Sequence, residues 1–135
     1  MSAVVCKFLH TRMRVSDLER SVEFYNKVFG LEVSRRHESP RGSKLVFLAV
    51  PNSDEEIELT YFPGSGTVEV QEDLMHLAFE VEDIEVELAR LKMEGFELIH
   101  ETAKAGADNK RIAFLHPKST NGVLIELCQE RPNKD

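Results

Sequence analysis

The chain repeats itself, and that limits the folds open to it more than any other feature. His10 and His76 lie 66 positions apart (76 − 10 = 66), and the segments they open run in step. Val15 meets Val81, Asp17 meets Asp83, Leu18 meets Ile84 and Glu19 meets Glu85. After one gap, Gly30-Leu-Glu-Val meets Gly95-Phe-Glu-Leu. Further on, Lys44-Leu-Val-Phe-Leu meets Arg111-Ile-Ala-Phe-Leu, and Ile57-Glu58-Leu59 meets Ile125-Glu126-Leu127. Matches in unbroken order describe one supersecondary unit used twice. Each copy, at about 60 residues, is too small to bury a good core alone.

Both copies have the same local pattern. A short apolar strand is expected at about Phe8–Val15 and again at Leu74–Val81. A helix follows: Leu18, Val22, Tyr25 and Phe29 fall at helical spacing in the first copy, and Ile84, Leu88 and Leu91 in the second. Ser16 with Glu19 reads as a capping box, acidic residues suit the first turn, and Gly30 and Gly95 end the helices. Three strands are then expected in each copy. They fall near 31–36, 44–50 and 56–62, then near 96–100, 111–116 and 123–129. The turns between them carry Pro, Gly, Asn and Ser. The expected fold class is therefore α+β: two tandem βαβββ modules, 7–63 and 73–130, within a single domain spanning 1–135. The joint is Pro63-Gly-Ser-Gly66 and the acidic stretch to Asp73, and the tail from Arg131 is expected to fray.

Composition excludes several partners. With 24 acidic and 17 basic residues the net charge is −7. Nucleic acid, whose phosphates need clustered Lys and Arg, is thus disfavoured. No apolar run approaches the roughly 20 residues that span a bilayer. The opening Met-Ser-Ala-Val-Val-Cys-Lys is too short and weakly apolar for a secretory signal. Cys6 and Cys128 suit neither a disulfide scaffold nor a thiolate zinc site and read as small packing residues. A reducing, cytoplasmic setting is the expectation.

Each module carries one His on its first strand and one Glu on its last: His10 and Glu58, then His76 and Glu126. Alone, a strand histidine is ordinarily structural, and a glutamate between apolar neighbours ordinarily faces solvent. By alternation, Glu58 points away from Ile57 and Leu59, and Glu126 away from Ile125 and Leu127. That side is either solvent or the interior of a curved sheet. The matched recurrence favours a shared role. Two imidazoles and two carboxylates can hold one divalent transition ion, with two octahedral positions left for water or substrate. His37, His100 and His116 have no repeat partner of the same type and read as surface or loop residues.

On these residues the chain resembles the vicinal oxygen chelate superfamily over essentially its whole length. The resemblance implies the glyoxalase/bleomycin-resistance fold, with curved mixed sheets around the metal, and a homodimer whose sites are completed between chains. The first half resembles bacterial glyoxalase I, a lactoylglutathione lyase that detoxifies methylglyoxal. The resemblance lies in His10-Thr-Arg-Met-Arg14-Val, Phe24-Tyr-x-Lys-Val-Phe-Gly-Leu and Glu58-Leu-Thr-Tyr61. Arg14 falls where that family contacts a glutathione carboxylate. The second half is similar to methylmalonyl-CoA epimerase through Phe114-Leu-His-Pro-Lys-Ser-Thr-Asn-Gly-Val-Leu-Ile-Glu126-Leu-Cys. Each match has a departure. Phe62 stands where glyoxalase I usually has Asn, and Ser39 and Pro40 stand where the epimerase usually has a second glutamate, with Glu38 out of register. The epimerase also usually has His-His where this chain has Met75-His76.

The resemblance implies an isomerase or lyase acting next to a carbonyl through a metal-stabilised enediolate or enolate. Glu126 is the implied base, Glu58 its symmetric counterpart, and Arg14 a substrate contact. Ni²⁺ or Co²⁺ is favoured and Zn²⁺ possible, one ion per site. The implied substrate is a small glutathione adduct or, alternatively, a CoA ester. A dioxygenase would use a three-ligand set, which Glu58 exceeds, and a non-catalytic binding member would usually lack the full set.

Overall fold

The structure is a computed structural model that describes residues 4–131. The chain divides between Val68 and Glu69 into two compact units. Among the described residues no helix is long and apolar enough to cross a membrane.

Unit 1 runs β1 (His10–Arg14), α1 (Leu18–Phe29), β2 (Glu32–Glu38), β3 (Lys44–Ala49) and β4 (Glu56–Tyr61). Its sheet has the order β1-β4-β3-β2, with β1 parallel to β4 and the other pairs antiparallel. Parallel neighbours need a long crossover, so β4 returns beside β1 only after the whole module has been made. Leu18, Ser21, Val22, Phe24 and Tyr25 make the buried stripe of α1. Ile57 and Leu59 of β4 are core residues, while Glu58 and Thr60, on the alternate face, are buried as well. For Glu58 the sequence left open solvent or a sheet interior, and its burial decides for the interior.

Unit 2 repeats the order with β5 (His76–Glu80), α2 (Ile84–Met93), β6 (Lys104–Ala105), β7 (Lys110–Leu115) and β8 (Leu124–Glu130). Its sheet order is β5-β8-β7-β6, again with the first and last strands parallel. Ile84, Leu88 and Leu91 are the buried face of α2, as their spacing predicts.

Three sequence expectations need correction. The cap of α1 is Asp17, whose carboxylate accepts from the Arg20 N–H. The Ser16 hydroxyl instead accepts from the Val68 N–H at 2.7 Å, tying down the end of unit 1. The strand expected at 96–100 is reduced to a bridge between Leu98 and Leu115, and the paired strand comes later, at Lys104–Ala105. The cause is local: His100 Nδ1 accepts the Phe114 N–H at 3.1 Å, so a side chain takes the place of a ladder carbonyl. Finally, Cys6 is exposed and packs no core, whereas Cys128 is buried as expected. Most of the tail expected to fray lies outside the described residues.

Candidate functional site

The two His–Glu pairs form separately, one in each unit. In unit 1, β1 lies in register beside β4 and brings His10 Nε2 to 3.2 Å from Glu58 Oε1. In unit 2, β5 beside β8 brings His76 Nε2 to 3.0 Å from Glu126 Oε1. Each imidazole stands edge-on to a phenylalanine of the neighbouring strand. His10 meets Phe47 at 5.5 Å and 86°, and His76 meets Phe114 at 5.5 Å and 87°. Arg35 covers Phe47 at 3.8 Å from the ring centre, and His100 lies against Phe114 at 5.8 Å.

Imidazole and carboxylate are donor types that suit a divalent ion, and the separations found are also those of a His–Glu ion pair. Two ligands on bonds of about 2.1 Å at a right angle stand about 3.0 Å apart, close to both separations found. Among the described residues no three His, Cys, Asp or Glu side chains gather to hold an ion. Each unit thus holds one His and one Glu of the four residues expected as ligands.

The surroundings of the two carboxylates differ. In unit 1, Arg12 Nε donates to Thr60 Oγ1 at 3.0 Å and lies 3.4 Å from Glu58 Oε2. The Thr60 hydroxyl donates to the same Oε2 at 2.6 Å, the short length of a charge-assisted bond. In unit 2, Ala78 takes the place of Arg12 opposite the glutamate, and Cys128 the place of Thr60. Burial, then the nearby Glu126 charge and a hydrogen bond to it, push the Cys128 thiol up to about 11. The thiol is therefore a neutral, weak donor toward Glu126.

Arg14 does not belong to the ligand cluster. It lines a cavity of about 470 Å³ in unit 1 with Arg12, Arg41, Ser39, Thr60 and Phe62. Among the described residues neither Arg14 nor Arg41 has an ion-pair partner. Unit 2 has its own cavity of about 770 Å³ against Met75 and Leu124, but Glu72 and Asp73 line it and would repel an anion. The arginine cavity is therefore the better anion site.

Sequence reasoning missed Arg12, Thr60, Arg41 and the two phenylalanines. Arg12 and Thr60 sit two positions from proposed ligands, hence on the same strand faces, and Phe47 and Phe114 match across the repeat, so signals for these four existed. Arg41 comes from a loop and had none.

Residues 7–127 match the Glyoxalase/Bleomycin resistance protein/Dioxygenase superfamily. The chain is 34% identical over 129 residues to a mitochondrial methylmalonyl-CoA epimerase of Dictyostelium discoideum, covering 90% of this chain and 76% of that one. It is 32% identical over 128 residues to a lactoylglutathione lyase of Escherichia coli O157:H7, covering 93% of each. The solved glyoxalase I of Leishmania major superposes with a TM-score of 0.74 at 31% identity, over 93% of this chain and 88% of that one. Relatives named for two different reactions thus stand at similar identity, and both names are those of enzymes. With its tandem βαβββ units and these matches, the chain belongs to the glyoxalase/bleomycin resistance protein/dioxygenase superfamily.

Proposed function

We propose that the protein is a metal-assisted isomerase of the glyoxalase I kind, converting the hemithioacetal of methylglyoxal and glutathione to S-lactoylglutathione. The observation that carries this reading is the duplicated His–Glu pair at 3.2 and 3.0 Å. His10, Glu58, His76 and Glu126 are the ligands of one divalent ion, with Ni²⁺ or Co²⁺ favoured. When bound, the ion supplies Lewis acidity toward the substrate's carbonyl oxygen. Glu126 acts as general base and then general acid. It takes the proton from the carbon that bears sulfur and returns it to the neighbouring carbon. Hydroxyl and carbonyl thereby exchange places, with no outside oxidant or reductant. Ser39, not a carboxylate, lines the arginine cavity, which suits chemistry with a single base. Arg14 anchors a carboxylate of the thiol. We further propose a homodimer with sites completed between chains.

A second reading, a CoA-ester epimerase, has one specific observation in its favour. The cavity has three guanidiniums and the Phe62 ring and no lining carboxylate. The ammonium group of glutathione would find no anionic partner there, whereas a nucleotide tail would bring phosphates to the arginines and a base to the ring.

A paired assay with added Ni²⁺, Co²⁺ or Zn²⁺ separates the readings. One arm supplies methylglyoxal and glutathione; the other supplies methylmalonyl-CoA in deuterated water. We expect thioester formation in the first. Exchange of the α-hydrogen for deuterium in the second arm alone would replace the glyoxalase reading with the epimerase one. If the protein binds no divalent ion, both readings fail.

A further inference from the structure

The two repeated half-sites are the same where an ion would be held and different one residue behind. His10 matches His76, Glu58 matches Glu126, and Phe47 matches Phe114, with nearly equal distances and angles in the two units. The donors behind the carboxylates do not match. Glu58 turns Oε1 to His10, while its Oε2 receives the Thr60 hydroxyl and lies beside Arg12. Arg12 also donates to Thr60 Oγ1, which leaves the hydroxyl its proton to give to Glu58. Glu58 is thus gripped at both oxygens, and its side chain is 6% exposed. Glu126 is gripped at Oε1 by His76 and is 14% exposed; Cys128 stands two positions along, where unit 1 has Thr60, and Ala78 pairs opposite Glu126, where unit 1 has Arg12.

We propose that Thr60 and Arg12 are positioning residues that hold Glu58 as a fixed ligand, while Cys128 and Ala78 leave Glu126 loose enough to turn from ligand to proton carrier. A hydroxyl under a guanidinium resists rotation of the carboxylate it binds, and a thiol is a far weaker donor. The inequality assigns the two otherwise equivalent glutamates different work. It rests on the reading that Glu126 is the base.

The test measures Co²⁺ and Ni²⁺ affinity by titration of the metal alone, and kcat and KM with the ion saturating. Thr60→Val should weaken ion binding about 10- to 100-fold, as loss of a donor behind a ligand does. Its kcat, once the ion is saturating, should fall less than that of Cys128→Thr. Cys128→Thr, which installs the missing hydroxyl behind Glu126, should leave ion binding equal or tighter and lower kcat about tenfold or more, with KM unchanged. Cys128→Ala, which removes only the weaker donor, should weaken ion binding less than Thr60→Val does. Equal loss of ion affinity in Thr60→Val and Cys128→Ala overturns the proposal, as does a Cys128→Thr variant with unaltered kcat. Glu126→Gln separates the two levels. If it keeps its turnover, the reading of Glu126 as base fails. If it is inactive while the Thr60 and Cys128 variants behave alike, only the inequality fails.

Discussion

Tyr25 is 1% exposed in the core of unit 1, edge-on to Phe24, and its hydroxyl has no hydrogen-bond partner among the described residues. A buried hydroxyl left unpaired costs about 1–3 kcal/mol. Tyr25→Phe should therefore raise unfolding stability by about 1 kcal/mol, read as a higher urea midpoint at unchanged slope. Burial also raises the phenol's pKa above its ordinary value. For an acid raised in the folded state, stability is full below the unfolded pKa of about 10 and falls as pH climbs past it. The advantage of Tyr25→Phe should thus widen above pH 10. The two thiols differ in the same physical way. Cys6 is exposed, while Cys128 is buried with its thiol pushed up to about 11. At pH 7.5 an alkylating reagent should label Cys6 alone in the native protein and both cysteines after unfolding. Native labelling of Cys128 would contradict the burial that keeps it a neutral donor. Turnover is decided at this scale too: Glu126→Gln should cut kcat by roughly 10²-fold or more, with the circular-dichroism spectrum unchanged. Near-normal turnover would remove Glu126 from the mechanism.

Elements follow from local pattern where backbone and side chains agree. The stripes of α1 and α2 fall where apolar residues recur at helical spacing, because a helix sets that period wherever it forms. The caps were less legible. Ser16 and Asp17 both have capping side chains, and only the path of the chain to Val68 commits Ser16 elsewhere. Asp17→Ala should therefore cost about 1 kcal/mol of stability, measured by urea unfolding. Loss of less than a few tenths would return the cap to another residue. The missing strand near Phe96–His100 has a similar origin. Its residues can form a strand, but the His100 imidazole takes the Phe114 N–H and ends the ladder. Strand propensity does not register a side chain that takes over a backbone bond.

At the scale of the whole molecule, the net charge of −7 sets a difficulty for an anionic substrate. Three arginines gathered at one cavity of unit 1 answer it locally. The proposed sharing of sites between chains has a direct test. His10→Ala and His76→Ala should each abolish turnover alone. Co-expressed as mixed dimers, they should recover about half the wild-type turnover per mixed dimer, because one composite site keeps both histidines while the other loses both. No recovery would mean that each site is built within one chain. By itself the sequence determined the duplication, the βαβββ order and the four ligand-type residues, because periodicity and matched spacing are properties of neighbours along the chain. That a guanidinium stands behind the first carboxylate was decided only by the tertiary structure. Arg12 reaches Thr60 across 48 positions because parallel pairing lays β1 beside β4. The second copy places Ala78 and Cys128 at the same points of its own sheet. Thr60 and Cys128 sit two positions from their glutamates in the sequence itself, but the reach of Arg12 to Glu58 lies in strand pairing, which no local stretch of sequence contains.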